Sequence, residues 1–224
     1  MQAIALLGGP SEEWPEDIEQ VFRDARKENR LIFASDRGTL FLKRWSIEPD
    51  VAVGDFDSLQ ENEKVVLNGI NDVRYSQPVK DYTDSEQLFL TALADYQVEQ
   101  LTVYGATGGR LDHFFVNIFT FLKPELRQYL EKVELVDKQN ILKFYHPGRH
   151  QIRYHEGYNY IGFGNLEKIK NFSILDARYK LNNFSCNYPI FFSSNEFIDK
   201  KSFEIKIESG IILAIYSKDI DRFS

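Results

Sequence analysis

Paired aspartates are the first residues in this sequence whose type and spacing suit catalysis. Asp55 and Asp57 follow the apolar run Val51–Val53 after a single glycine, Gly54. Residues two apart on an extended chain point to one side, so the two carboxylates are expected to converge. Such a pair suits Mg²⁺, which proteins hold with one or two carboxylates together with water and substrate phosphates. The alternative is that both aspartates only serve the turn and cap the following helix.

A second acidic segment runs from Lys80 to Glu86. Thr83 and Glu86 have the spacing of a capping box, which predicts a helix that begins here. Asp84 lies in the first turn of that helix, where a carboxylate offsets the positive end of the helix dipole. Asp81 has no role in capping. The segment is interpreted either as a helix cap alone or as a further part of a metal–phosphate site.

A glycine-rich turn forms the third candidate. It ends in Gly108-Gly109, precedes Arg110, and joins a predicted strand to a predicted helix. Glycines let the backbone approach an anion, and a guanidinium is a forked donor suited to phosphate. The spacing fits neither a Walker A loop nor a dinucleotide fingerprint. Alternatively, the turn is only a tight connection in which Asp112 caps the helix; His113 is either a core histidine or a site residue.

The predicted secondary structure that must position these residues differs between the first and second parts of the chain. Short apolar runs alternate with amphipathic stretches up to about Leu122, which predicts a three-layer, Rossmann-like α/β domain with a mostly parallel sheet. Ligands of such sheets bind beyond the carboxyl ends of the strands. The loops that carry Asp36, Asp57, Asp84 and Arg110 are therefore expected to meet at one edge.

After about Glu131 the sequence consists of short runs rich in Val, Ile, Tyr and Phe, separated by turn residues. This texture predicts an all-β sandwich, with Val133–Val136 as its first strand. We place the domains at residues 1–130 and 131–224. Within the first domain, a helix is predicted over Leu59–Leu67.

Composition and charge narrow the classes of function. The chain has 224 residues and a formal net charge of −7, which disfavours binding to nucleic acid. No apolar run approaches the roughly 20 residues of a membrane span, so we expect no membrane insertion. The single cysteine, Cys186, can form neither an internal disulfide nor a cysteine-based zinc site, which favours the cytoplasm.

Taken together and in order, five segments resemble the motifs of thiamine pyrophosphokinases: Ser35–Gly38, Gly54–Ser58, Lys80–Glu86, Gly105–His113 and Ser193–Glu196. The resemblance implies an N-terminal α/β catalytic domain and a C-terminal β-sandwich that binds thiamine. It also implies a homodimer and Mg²⁺-assisted transfer of the diphosphate of ATP to thiamine, with release of AMP.

The resemblance further implies roles for single residues. The metal ligands would be Asp55, Asp57 and Asp84. The nucleotide would be contacted by Gly108, Gly109 and Arg110, with Asp36, Asp81, Asp112 and His113 in the same site; Asp81 or Asp112 would be the candidate general base. In the sandwich, Tyr179 would stack on thiamine, with Ser194 and Asn195 approaching its ring. An aromatic face suits the thiazolium cation, although Tyr179 is also explained as a buried sandwich tyrosine.

Two other functions remain open from the sequence. The α/β half would also support a diphosphokinase that acts on another hydroxymethyl acceptor, such as a pterin. A nucleotide- or thiamine-binding protein without turnover is the second alternative. This second alternative is supported by three residues that depart from the family pattern: Arg37, Asp176 and Lys180.

Overall fold

The computed structural model describes residues 1–57, 59–60, 63–76 and 82–219. The chain divides into two compact units, Met1–Lys138 and Gln139–Ser224. The first is an α/β unit and the second consists of antiparallel sheets, so the predicted fold class is confirmed. The division lies eight residues beyond Leu130, the position at which the sequence analysis places the boundary.

The first unit is built on six parallel strands. They are β1 (Gln2–Leu6), β2 (Leu31–Ser35), β3 (Val51–Gly54), β4 (Asp72–Tyr75), β5 (Gln100–Tyr104) and β6 (Val133–Val136). Their order is β4-β3-β2-β1-β5-β6, with each neighbouring pair parallel. The chain therefore builds outward from β1 first in one direction and then in the other, and the crevice at such a reversal is where open sheets bind ligands.

Strand β6 differs from the sequence-based assignment. Val133–Val136 is predicted as the first strand of the sandwich, but it pairs in parallel with β5, from Leu101 opposite Val133 to Tyr104 opposite Val136. Its alternating burial is typical of an antiparallel strand with one covered face. Residue pattern indicates that a strand forms here; it does not identify the neighbouring strand.

Helices cover both faces of this sheet. They are α1 (Ile18–Lys27), α2 (Arg37–Arg44), α3 (Asp84–Leu90), α4 (Leu111–Phe119) and α5 (Pro124–Arg127). In β2, Ile32 packs in a cluster with Phe22 of α1, whereas Phe33 contacts the ring of Tyr96, which lies beyond α3. Adjacent strand residues point to opposite faces, so this sheet is the middle of three layers.

Two predicted helices have different outcomes. The capping box at the start of α3 is confirmed: Thr83 Oγ1 accepts from the backbone N–H of Glu86, and Glu86 Oε2 accepts from the N–H of Thr83. Between Leu59 and Leu67, the described residues form only a short 3-10 helix, Lys64–Leu67. None of the described helices combines the length and apolarity needed to cross a bilayer.

The second unit contains two four-stranded antiparallel sheets. Its strands are β7 (Asn140–Tyr145), β8 (Gly148–Ile152), β9 (Tyr160–Asn165), β10 (Ile169–Ile174), β11 (Leu181–Cys186), β12 (Ile190–Glu196), β13 (Phe203–Ile207) and β14 (Ile212–Ser217). One sheet has the order β12-β9-β14-β7 and the other β11-β10-β13-β8. One core cluster contains side chains from both sheets, as expected of a sandwich; its large members include Phe163, Phe172, Phe203 and Tyr216.

Candidate active site

A cleft of about 690 Å³ lies at the carboxyl edge of the parallel sheet. Its walls are the loops that follow β1, β2 and β5, together with the start of α3 and one side of α4. The lining includes Gly8, Gly9, Asp36, Arg37, Asp84, Gly105, Thr107, Gly108, Arg110 and His113. Of the loops predicted to meet at one edge, those that carry Asp36, Asp84 and Arg110 line this cleft; no described lining residue comes from the loop after β3.

The loops after β1 and β5 touch through their backbones. The N–H of Gly9 donates to the carbonyl oxygen of Gly105 at 3.1 Å. Gly105 has a φ of +71°, and a Cβ there would lie 2.6 Å from the carbonyl oxygen of Leu7. A side chain would thus clash and strain the backbone, so glycine is required where the two loops meet.

Three aspartates form a compact carboxylate cluster (Asp36, Asp55, Asp84), in which one oxygen of each lies within 4.8 Å of the others. Asp36 Oδ1 accepts from the backbone N–H of Phe56 at 3.3 Å, which fixes the loop after β2 to the loop after β3. Asp84 Oδ1 accepts from Ser76 Oγ at 2.5 Å, immediately beyond β4. Residues after three neighbouring strands therefore hold the cluster.

The electrostatics of this cluster favour a cation. Burial, the negative charge of Asp84 and a hydrogen bond with the Asp84 carboxyl group together raise the pKa of Asp36 to about 8, and burial contributes most. That hydrogen bond requires a proton on one of the two carboxyls. A divalent cation would replace the proton and neutralise the converging charges. Three carboxylates without nitrogen or sulfur ligands form the oxygen set that Mg²⁺ prefers, so these residues fit the metal.

Asp57, one of the predicted metal ligands, is not part of the carboxylate cluster in the described structure. Asp55 and Asp57 would point to one side only on an extended chain, but Phe56 between them is buried and has a φ of +54°. The chain turns there, and the exposed Asp57 donates its backbone N–H to Asp55 Oδ1 at 3.1 Å. The metal role of Asp57 stays a prediction. Asp81 lies outside the described residues.

The glycine loop (Gly105–Gly109) leads into α4 on the other side of the cleft. Gly108 and Gly109 have φ values of +77° and +64°. Arg110 is the N-cap residue of α4 and forms a two-pronged ion pair with Asp112, at 3.1 Å from Nε and 2.5 Å from Nη2. This pairing lowers the pKa of Asp112 to about 2, which makes its carboxylate a weak base. Arg110 and His113 line the cleft. The described residues that line it do not include Gly109 or Asp112.

Glu86 supports the cleft from within the protein. This buried side chain accepts from Thr120 Oγ1 at 2.8 Å and from Lys123 Nζ at 2.6 Å. Burial alone would raise the pKa of Glu86, but hydrogen bonds from Lys123, Thr83 and Thr120 outweigh it and lower the pKa. The capping glutamate thereby also ties α3, and the Asp84 on its first turn, to the segment after α4.

The predicted thiamine residues lie in the second unit and are described there by themselves. Tyr179 is 57% exposed, so it is not the buried tyrosine that the sequence left open. Strand β12 contains a register shift between Phe192 and Asn195, where Ser194 has a φ of +59°. Such a bulge redirects the next side chain. Asn195 is accordingly 5% exposed.

The side chain of Asn195 is engaged with backbone groups. Its Oδ1 accepts from the N–H groups of Tyr179 at 3.0 Å and Glu196 at 2.9 Å, and its Nδ2 donates to the carbonyl oxygen of Tyr179 at 2.8 Å. Asn195 therefore fixes the backbone that presents the Tyr179 ring. The prediction that Asn195 approaches the ligand itself stays a prediction.

Sequence reasoning missed several residues that shape the cleft. Ser76 directly follows β4, and the rule that selected polar residues after strands would also have selected it. Thr107 and Asn117 line the cleft, but each is one polar residue in an otherwise ordinary turn or helix. The sequence carries no signal that distinguishes them.

Comparison with known proteins gives the same family for both units. Residues 22–133 match the family model of the thiamin pyrophosphokinase catalytic domain, and residues 149–212 match that of the thiamin pyrophosphokinase vitamin B1 binding domain. The thiamine pyrophosphokinase of Bacillus subtilis is 32% identical over 197 residues, which cover 86% of this chain and 89% of that protein.

Solved structures agree. A thiamin pyrophosphokinase family protein from Enterococcus faecalis matches with a TM-score of 0.87 and 29% identity, over 98% of this chain and 100% of its own. The thiamin pyrophosphokinase from Geobacillus thermodenitrificans matches with a TM-score of 0.83 and 30% identity, over 99% of each chain. This chain belongs to the thiamine pyrophosphokinase family.

Proposed function

We propose that this chain transfers the diphosphate of ATP to the hydroxyl group of thiamine, giving thiamine diphosphate and AMP. The observation that carries the proposal is one cleft lined both by Asp36 and Asp84 of the carboxylate cluster and by the glycine loop with Arg110. This combination suits phosphoryl-type transfer, where catalysis depends mostly on positioning and on neutralising charge. The match of residues 149–212 to a vitamin B1 binding domain supports thiamine as the acceptor.

Asp36, Asp55 and Asp84 would hold Mg²⁺ in this proposal. The bound ion would supply positive charge that offsets the charge of the phosphates. The three carboxylates would place the metal at the edge where the loops after β2 and β3 meet. Asp57 remains a candidate for a further ligand.

The remaining cleft residues act on the nucleotide. Backbone N–H groups of the glycine loop, at the start of α4, are donors for phosphate oxygens. Arg110 is exposed and adds a forked donor once its guanidinium turns from Asp112 to the phosphates. The thiamine hydroxyl then attacks the β-phosphorus in line, and the α-phosphate leaves as AMP. Once Arg110 has turned away, the pairing that lowers the pKa of Asp112 is lost, so Asp112 and Asp81 both remain candidates for the base that receives the hydroxyl proton.

Tyr179 supplies the aromatic face for the thiamine cation, with Asn195 holding its backbone in place. We further propose that the protein is a cytoplasmic homodimer. Leu111, Phe115 and Phe119 support self-association because they form an exposed apolar stripe along α4. Sedimentation that gives only monomer at micromolar concentration would contradict the dimer.

Acceptor profiling tests the proposed function. Purified protein is given ATP and Mg²⁺ with thiamine, with a pterin alcohol, or with no acceptor, and products are identified by mass. AMP and thiamine diphosphate that form together, and only with thiamine, would support the proposal. AMP formation with the pterin alone would keep the cleft chemistry and replace the acceptor. Absence of AMP in every arm would favour a binding protein without turnover.

A further inference from the structure

The glycine loop is anchored by two buried side chains that the proposed mechanism does not use. Asn117 on α4 donates Nδ2 to the carbonyl oxygen of Ala106 at 2.8 Å. Thr107 donates Oγ1 to Asp137 Oδ2, also at 2.8 Å. Both bonds are buried, so water does not compete for their donors and acceptors. The loop is thus held from α4 on one side and from the end of β6 on the other.

Asp137 is the more informative of these anchors. It directly follows β6 and is only 7% exposed, and burial of a carboxylate is costly unless hydrogen bonds compensate it. Of the two hydrogen-bonded residues, Thr107 lines the cleft and Asp137 does not. The carboxylate therefore lies on the side of the glycine loop that faces away from the cleft. It can influence the cleft only through its hydrogen bond with the Thr107 hydroxyl.

The residue after Asp137 connects the same segment to the turn that follows β1. The N–H of Lys138 donates to the carbonyl oxygen of Glu13 at 2.7 Å. The side chain of Glu13 in turn packs on Gly108, where a Cβ would lie 2.6 Å from Glu13 Cγ. Residues 137 and 138 therefore fix both the glycine loop and the segment that covers it.

A glycine loop needs such anchors because glycine loses more conformational freedom on ordering than any other residue. Consecutive glycines at positive φ can reach many conformations, and only a few of them direct their N–H groups at one phosphate. A loop that is already ordered before binding avoids this entropic cost.

We propose that Asp137 is a positioning residue for the nucleotide: through the hydroxyl of Thr107 it holds the glycine loop in its phosphate-binding conformation. This inference rests on the proposed function, because it assigns the loop to the phosphates of ATP. Asp137 does not line the cleft and acts only through the glycine loop, so its effect is on nucleotide binding and not on the acceptor.

The structure offers a matched control on the same two strands. Thr102 Oγ1 donates to Glu134 Oε1 at 2.9 Å, and these residues face each other in the β5–β6 register. The pair has the same chemistry as Thr107 with Asp137, but it lies within the strands and not at their carboxyl edge. Thr102→Val therefore removes a threonine–carboxylate hydrogen bond of similar length, though partly buried, at a residue that does not line the cleft.

The test measures calorimetric binding of Mg²⁺ with α,β-methylene-ATP, in which the bond that the reaction breaks is blocked. We expect Asp137→Ala to weaken binding about 5- to 50-fold, the range for a lost buried hydrogen bond. Asp137→Asn and Thr107→Ser keep an acceptor or a hydroxyl and should stay within about threefold of wild type, as should Thr102→Val. In turnover assays, the KM for ATP should rise in Asp137→Ala while the KM for thiamine is unchanged.

Thermal unfolding without nucleotide verifies that each variant is folded. If Asp137→Ala does not fold, Thr107→Val takes its place because it removes the hydroxyl at nearly constant volume. A folded variant that has lost the Thr107–Asp137 bond but binds the analogue as tightly as wild type overturns the inference. Wild-type protein that does not bind the analogue at all contradicts the proposed function itself, so the two failures are distinguishable.

Discussion

Asp36→Asn is expected to reduce the pH dependence of stability of the metal-free protein. The folded state raises the pKa of Asp36 from 3.8 to about 8, chiefly through burial and then through Asp84. Between these values the folded protein keeps a proton that the unfolded chain has released. Stability from this group is therefore complete at low pH and falls as the pH rises, at up to about 1.4 kcal/mol per pH unit.

The expected loss of stability depends on the pH range over which it is measured. From pH 5 to pH 7 the full slope would cost about 2.7 kcal/mol, and screening by solvent in the cleft lowers this to about 1–2 kcal/mol. Asparagine keeps the oxygen that accepts from the Phe56 N–H but does not ionise. The variant should therefore lose most of this slope, with the largest gain in stability over wild type at pH 7.

The assay is urea unfolding at pH 5, 6 and 7 with EDTA, followed by tryptophan fluorescence. Both tryptophans, Trp14 and Trp45, lie in the first unit, so the signal reports on the unit that contains the cluster. Asp24→Asn is the control: hydrogen bonds from Lys27 and Gln20 lower the pKa of Asp24, so its contribution changes only below this range. Equal slopes for wild type and Asp36→Asn would refute the reasoning.

Three further variants test the cleft and its supports. Gly54→Ala should weaken Mn²⁺ binding, measured by electron paramagnetic resonance, by about tenfold or more, because a Cβ there would lie 2.1 Å from Asp36 Oδ1. Glu86→Gln should lower the free energy of unfolding in urea by about 1–3 kcal/mol, because it breaks the ion pair with Lys123. Asn195→Ala should raise the KM for thiamine about 3- to 30-fold and leave the KM for ATP unchanged, because it frees the backbone that carries the aromatic face.

The general position of the site could be predicted from the sequence because it depends on local signals. Short apolar runs end in polar residues, and carboxyl ends of parallel strands share an edge, which places Asp36, Asp55 and Asp84 together. The capping box at Thr83 is equally local: its two hydrogen bonds involve residues three apart.

The parts that sequence did not predict depend on backbone geometry or on distant partners. The left-handed Phe56 breaks the alternation that would have aligned Asp55 with Asp57. The partner of β6 is decided by packing between distant strands. Asn195 turns inward only because of the bulge at Ser194, which residue types alone do not reveal.

Isotope tracing of the transferred group tests the central claim most directly. Wild-type protein is incubated with Mg²⁺, thiamine and ATP labelled in either the α- or the γ-phosphate, and products are separated by chromatography. Attack on the β-phosphorus predicts that the γ-label appears in thiamine diphosphate and the α-label in AMP. Release of the γ-label as inorganic phosphate, or its appearance in thiamine monophosphate with ADP formed, would contradict diphosphoryl transfer in this cleft.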